Sequence, residues 1–205
     1  VFDEYGRASY DLYHKGSMLA RIMLNALGLH NVSNSLPAIA VSLQEGVNIE
    51  HIKKALASFT NSRRRFEIKG VIGGVTIIDD YAHHPTEIRA TLTTAQGYPH
   101  NNIWCVFQPH TYSRTKQHLT EFAQALSLAD KIVLSDIYAA REVDPGDISS
   151  KDLAREIAKN GKDVYYFKSF DEIETFLLQN CINGDLLITM GAGDIVSVGE
   201  NLLGL

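Results

Sequence analysis

The stretch Val75-Thr76-Ile77-Ile78-Asp79-Asp80-Tyr81-Ala82-His83-His84-Pro85-Thr86-Glu87 changes character midway. Its first half is apolar and largely β-branched, which suits a buried, pleated strand. Its second half gathers two acids, a tyrosine and two histidines, and then reaches Pro85, a residue favoured in the first turn of a helix. A strand that ends in polar side chains and runs straight into a helix is half of a βαβ unit, and the rest of the chain is read against it.

Downstream the alternation continues. Helices are predicted over residues 85–96, 114–128, 150–159 and 170–179, and strands over 102–108, 131–137, 163–167 and 185–190. Strands alternating with helices of about 10–15 residues mean βαβ units and a mostly parallel sheet. These strands are apolar on both faces, as in a sheet covered on both sides. Just upstream, residues 66–69 and 75–80 read as a hairpin turning through Gly70–Gly74. The fold class is therefore α/β, a doubly wound and mostly parallel sheet with an N-terminal hairpin strand.

Before residue 64 the pattern differs. Helices are predicted over residues 31–45 and 49–58, while residues 15–26 fit a strand or a short helix equally well. With Asn31 or Ser33 as the cap, Pro37 falls in or just after the first turn, where its missing N–H matters least. Gly46 then stops the helix. Two helices and little else make a poor independent core. Residues 1–64 are thus expected to be a short, mainly helical remnant of another domain, and residues 65–205 the α/β domain. The chain begins at Val1 in mid-pattern, without an initiator Met, as expected of a piece of something longer.

Composition narrows the function classes. The 205 residues are 45% hydrophobic and 21% charged, with a net charge of −5 that disfavours a nucleic-acid surface. Cys105 and Cys181 are too far apart for a metal knuckle, and Cys105, inside Ile103-Trp104-Cys105-Val106-Phe107, is expected to be a buried, inert thiol. No apolar run approaches the roughly 20 residues of a membrane span. The segment VFDEYGRASY lacks a signal peptide's apolar core. A cytoplasmic protein without nucleic-acid or membrane partners is expected.

Open α/β sheets bind ligands beyond the carboxyl ends of their strands, and the polar strings fall there. Asp79 to Glu87 suits a ribose-hydroxyl acceptor beside a proton-transfer or carboxylate-binding site. Asp and His are also metal ligands, and an Asp can simply cap the turn. In Gln108-Pro109-His110-Thr111-Tyr112-Ser113-Arg114-Thr115, a His and an Arg at a helix start suit an anionic group, or else Ser113 or Thr111 is an ordinary cap. Asn31 and Asn34 offer amide donors and acceptors to a purine edge, or cap a helix. One of Arg63, Arg64 and Arg65 has the reach for a phosphate, or the run is solvated linker. Gly191-Ala192-Gly193-Asp194 is half of a dinucleotide fingerprint; a full GxGxxG is absent, as is any GxxxxGK[ST] phosphate loop.

In order, the strings GLHNVSN (28–34), RRRFE (63–67), DDYAHHPTEI (79–88), FQPHTYSRT (107–115) and GAGDI (191–195) resemble the Mur ligase family over nearly the whole chain. Within it they are most similar to the UDP-N-acetylmuramate–L-alanine ligases. The resemblance implies the end of a central ATPase domain followed by a complete C-terminal Rossmann-like domain, the UDP-substrate domain and the rest of the ATPase domain being missing. It also implies an ATP-dependent ligase of bacterial peptidoglycan synthesis. UDP-N-acetylmuramate is phosphorylated to an acyl phosphate, which the amine of L-alanine attacks. ATP and Mg²⁺ are the implied cofactors, with the metal ligands and the phosphate-binding Lys upstream of Val1 and none in this chain.

By matching position, His30, Asn31 and Asn34 would contact adenine, Arg65 the nucleotide phosphates and Asp80 the ribose hydroxyls. Tyr81, His83 and Arg114, with His110, would face the alanine and the acyl phosphate. Three departures stand out: Asn34-Ser35-Leu36-Pro37-Ala38 where small residues are usual, Asn61-Ser62 where Gly-Val is common, and Thr111 where many members carry Arg. Thr111 leaves the grip on the amino-acid carboxylate to Arg114 or Arg141. The tripeptide-recycling ligase shares most of these motifs, and a non-catalytic nucleotide-binding module is the reading from another class.

Overall fold

The structure is a computed structural model that describes every residue except Glu4 and Asn61, so half of the Asn61-Ser62 departure lies outside the described residues. The chain divides into two compact units, Val1–Ser62 with Gly97–Pro99, and Arg63–Gln96 with His100–Leu205.

The first unit opens with an antiparallel hairpin, β1 (Arg7–His14) and β2 (Ser17–Leu27). Lys15 and Gly16 both hold positive φ, 49° and 83°, the geometry whose twist matches a two-residue hairpin turn. The expectation of two helices and little else is therefore corrected, and residues 15–26 resolve as turn and strand. Helices α1 (Leu29–Gln44) and α2 (Ile49–Ser58) follow. Ala8, Leu12, Ile22 and Leu24 of the hairpin join Ile39 and Ile52 of the helices in one apolar cluster.

Helix α1 begins at Leu29, with Gly28 rather than Asn31 or Ser33 at its N-cap, so Pro37 lies inside the helix and not in its first turn. There its ring removes one helical hydrogen bond. Gly46, at φ 79°, follows the C-cap as expected.

The second unit is the doubly wound sheet. Its six strands are β3 (Glu67–Ile72), β4 (Val75–Asp80), β5 (Ile103–Phe107), β6 (Lys131–Leu134), β7 (Asp163–Tyr166) and β8 (Leu186–Met190). They lie in the order β3-β4-β8-β5-β6-β7. Edge strand β3 runs antiparallel to β4, and the other neighbours are parallel. Helices α3 (Pro85–Gln96), α5 (Leu119–Leu126) and α6 (Ser150–Lys159) pack side by side, α3 on α5 and α5 on α6. Helices α7 (Phe170–Asn180) and α8 (Val196–Leu203) pack on each other, and α8 also lies on β3, β4 and β8. Helix α8 follows the GAGD turn and was not anticipated from the sequence.

The alternate faces of one strand supply two cores. Ile77, Trp104, Val106, Val133 and Leu187 join Ile173, Leu177 and Val198 in one cluster. Ile78, Cys105, Phe107 and Ile188 are fully buried, and Phe107 meets Phe122 of α5 at 5.7 Å between ring centroids. Burial pushes the Cys105 thiol up, so it stays protonated and inert.

The single helix expected over 114–128 is broken. A short helix α4 (Tyr112–Gln117) ends at His118, whose φ of −115° is not helical, and α5 begins directly after. Among the described residues, no helix is long and apolar enough to cross a membrane.

Candidate active site

The carboxyl ends of β4, β5, β6 and β8 lie together because those strands are neighbours, so their outgoing loops must meet. The strand order reverses here: the chain leaves β4 past β8 to reach β5, then later returns to β8. That is the crevice where such sheets bind ligands.

At the end of β4 the two acids have different fates. Asp79 is fully buried. It forms an ion pair at 2.8 Å with Arg64 Nε and accepts a hydrogen bond at 2.8 Å from the Thr189 hydroxyl. Arg64 donates further to the carbonyls of Gly191 (2.8 Å) and Gly193 (3.2 Å) and stacks over the Tyr81 ring at 4.8 Å. The backbone N–H of Tyr81 donates to the Arg64 carbonyl at 2.8 Å. Arg64 therefore ties the segment entering the unit to both the β4 loop and the GAGD turn. The resemblance singled out Arg65, which is exposed, whereas Arg64, weighed with its neighbours only for a phosphate, is the one that turns inward to Asp79. Within a run of three arginines, nothing local says which one turns inward.

Asp80 is 5% exposed, and its two oxygens accept the N–H groups of Phe66 and Ala82, each at 2.8 Å. Burial raises its pKa above the usual carboxylate range; these two N–H donors, the Thr91 side chain and the Arg65 charge pull the other way. A carboxylate has about four acceptor positions, so one remains for a ligand hydroxyl.

His83 and His110 bring the two loops together, with ring centroids 5.9 Å apart. His83 Nδ1 lies 2.9 Å from the Tyr81 carbonyl. A carbonyl only accepts, so Nδ1 carries a proton, and in the neutral ring the lone pair is left on Nε2. His110 is the opposite case. Its Nδ1 faces Arg114 Nη1 at 3.2 Å, and an arginine only donates, so its proton sits on Nε2. Burial first, then the Arg114 charge, and the neighbouring His83 whenever it is protonated, lower the His110 pKa and favour its neutral form. Arg114 Nη1 also donates to the His110 carbonyl at 2.7 Å, and His110 stacks on Tyr138 with centroids 5.6 Å apart. A neutral hydrogen-bond donor and a bare imidazole nitrogen thus stand side by side.

Beside them runs a groove of about 630 Å³ lined by His110, Thr111, Arg114, His118, Arg141 and Glu142, among others. Glu142, absent from the sequence-derived site, binds the opposing loop. It accepts from the Thr111 hydroxyl at 2.5 Å, from the Ser113 hydroxyl and from the Ser113 N–H at 2.9 Å. Those donors, led by the Ser113 and Thr111 hydroxyls, hold the Glu142 carboxyl at about 2. Thr111, where an Arg was noted as common, is thereby taken up by Glu142. Arg141 remains exposed at the groove.

The GAGD turn proves to be a close-approach device. At Gly191, with φ 146°, a Cβ would sit 2.7 Å from the Gln108 carbonyl oxygen; at Gly193 it would meet the Gln108 amide at 2.1 Å. Asp194 is held at 2.8 Å by the Gln108 amide.

His30, Asn31 and Asn34 lie in the first unit, at the start of α1. Asn31 donates to the Leu27 carbonyl at 2.8 Å, and Asn34 donates to the Asn31 side-chain oxygen at 3.2 Å. The exposed Asn34 keeps its carbonyl oxygen and a second N–H, the pair that matches an adenine edge. Among the described residues there is no group of three or more His, Cys, Asp or Glu able to hold a metal ion.

Comparison with known proteins places this geometry in context. The family model described as "Mur ligase, glutamate ligase domain" matches residues 64–193. The UDP-N-acetylmuramate–L-alanine ligase of Lachnoclostridium phytofermentans is 61% identical over 201 residues, covering 98% of this chain and 43% of that protein. That of Lachnospira eligens is 59% identical, covering 99% of this chain and 44% of the relative. The chain thus spans less than half the length of these relatives. Among solved structures, the UDP-N-acetylmuramate–alanine ligase of Thermotoga maritima aligns with a TM-score of 0.82 at 29% identity, over 97% of this chain and 43% of that one. A murein peptide ligase of Psychrobacter arcticus aligns at 0.66 and 26% identity, over 93% and 39%.

Proposed function

Because this chain belongs to the Mur ligase family, we propose that it forms the C-terminal part of an ATP-dependent ligase joining L-alanine to UDP-N-acetylmuramate in peptidoglycan synthesis. The observation that carries the proposal is the meeting of the β4 and β5 loops: His83, bare at Nε2, against His110 and Arg114, at the edge of a groove with two arginines. An amino-acid acceptor needs its carboxylate gripped and its amine left free to attack. Arg114 and Arg141 suit the first task and an uncharged imidazole the second. The likeness to alanine ligases, at 61% and 59% identity, supports L-alanine over a tripeptide.

In this reading ATP phosphorylates the lactyl carboxylate, turning a poor electrophile into an acyl phosphate. The protein then contributes mostly positioning and charge stabilisation. Asn31 and Asn34, with His30, are assigned to adenine, Asp80 to the ribose hydroxyls through its remaining acceptor position, and Arg65 to the phosphates. Tyr81, which holds Arg64 under its ring, orders the loop that carries His83. Mg²⁺ is assigned to the phosphates and to residues outside this chain, and no step here runs through it. A cytoplasmic site of action follows from the substrates.

The test is phosphate release by the full-length protein carrying this chain, with ATP, Mg²⁺ and UDP-N-acetylmuramate, comparing L-alanine with L-Ala-γ-D-Glu-diaminopimelate. Release that depends on L-alanine is expected. Release with the tripeptide alone moves the protein to the recycling ligases, and release with neither removes the catalytic reading. The 205 residues alone are expected to be inactive, since they contain no GxxxxGK[ST] loop.

A further inference from the structure

Glu87 is the third residue of α3 and accepts the N–H groups of His83 at 3.0 Å and His84 at 3.2 Å through Oε2. That alone is a helix cap. The same oxygen, however, lies 3.4 Å from His83 Nδ1, the ring nitrogen that donates to the Tyr81 carbonyl. Two acceptors, one of them a carboxylate, therefore face one nitrogen of a ring whose other nitrogen has no hydrogen-bond partner among the described residues. This arrangement fixes a tautomer, and it also stabilises the imidazolium once Nε2 takes a proton.

Resting on the ligase reading above, we propose that Glu87 is a positioning residue that fixes His83 as the base for the attacking amine. The amine of L-alanine, entering as the free base, attacks the carbonyl carbon of the acyl phosphate and a C–N bond forms. His83 Nε2 takes one proton from that nitrogen. The bond from carbon to the phosphate oxygen breaks, the electron pair leaves with phosphate, and the imidazolium returns its proton to the departing phosphate. The amide and HPO₄²⁻ result, and His83 is neutral again. His110 does not serve as this base, because its Nδ1 is filled by Arg114 and its Nε2 holds the proton. That N–H is instead a donor for the oxyanion that forms beside it.

The titratable and charged groups around His83 are Tyr81 and Glu87 on its own segment, and His110, with Arg114 bonded to it, from the loop after β5. Removing the Glu87 charge while keeping an oxygen for the two backbone N–H groups isolates the electrostatic role. Glu87→Gln in the full-length enzyme is expected to lower kcat with L-alanine about tenfold, a share of the ~10²–10⁴ that a positioned base provides. It should move the acid limb of the pH–rate profile to lower pH and leave the KM for ATP unchanged. His83→Gln should lose the larger factor, and the double variant should lose no more than His83→Gln alone.

A Glu87→Gln enzyme with the wild-type profile and kcat overturns the proposal, even if it melts earlier, because Glu87 is then only a cap. His83→Gln retaining most of its kcat overturns it as well. If the wild type works with the tripeptide and not with L-alanine, the assigned acceptor fails while the same comparison, run with the tripeptide, still decides Glu87. If no acceptor supports release, both fall.

Discussion

Replacing Arg64 with alanine is the sharpest structural test of how the site is held. Asp79 is fully buried, and Arg64 is its ion-pair partner at 2.8 Å. Breaking a buried pair by removing one partner costs about 3–5 kcal/mol, because the remaining charge stays out of water. The carbonyls of Gly191 and Gly193 also lose their donor, and the Tyr81 ring loses a cation worth about 0.5–1 kcal/mol. Arg64 is itself 24% exposed, so water can enter the vacated space, and the lower end, about 3 kcal/mol, is expected. With a urea slope of about 2 kcal/mol/M, the midpoint falls by roughly 1.5 M.

The assay is urea unfolding followed through Trp104, the one tryptophan, which is buried in the second unit. Asp79→Asn removes the stranded charge at similar size, so Arg64→Ala should cost much less in that background, with a coupling of about 2 kcal/mol. Additive losses, or a loss below about 1 kcal/mol for Arg64→Ala, would refute the reasoning. Arg64 would then be a solvated arginine that happens to lie near Asp79.

Three further outcomes follow from the same geometry. Glu142 is held at about 2, below its ordinary value of 4.5, so its stabilising contribution is present above the ordinary value and is lost as pH falls towards 2. Unfolding measured across that window should show an acid loss in the wild type that Glu142→Gln lacks. Gly191→Ala should destabilise the second unit by at least about 2 kcal/mol, read by the same Trp104 assay, because its Cβ meets a backbone carbonyl at 2.7 Å. Arg141→Ala in the full-length enzyme should raise the KM for L-alanine about tenfold with kcat and the KM for ATP nearly unchanged, the mark of lost ground-state binding.

The α/β unit was legible because apolar runs and turn signals alternated without conflict, and the four central strands declared burial on both faces, while edge strands β3 and β7 are only partly covered. Where the sequence misled, two patterns overlapped. Residues 15–26 carry apolar spacing that suits strand and helix alike, and the deciding feature is the Lys15-Gly16 turn, a weaker signal than Asn-Gly or Asp-Gly. Over 114–128 the helical period runs on through Thr115, Phe122 and Leu126, all buried, so a break at His118 leaves no trace in it. Pro37 was placed near a helix start because Asn is a strong cap, yet packing begins the helix at Leu29.

The site divides along a different line. Residue types at the strand ends were readable because the fold forces loops there, and His83, His110 and Arg114 do come together. Their partners were not readable. Glu142 reaches Ser113 across 29 residues of chain, and only the adjacency of β5 and β6 makes that contact, which no local pattern encodes. Arg64 and Arg65 have nearly the same sequence neighbourhood and opposite fates, one tied to a buried acid and one exposed. Glu87 is the instructive case. Its capping role is written in the string His84-Pro85-Thr86-Glu87, and that explanation is sufficient for its presence. The second role rests on a ring nitrogen 3.4 Å away, whose proton is located only because the Tyr81 carbonyl cannot donate. A cap and a positioning carboxylate share one sequence, so the charge on Glu87, and not its shape, has to decide between them.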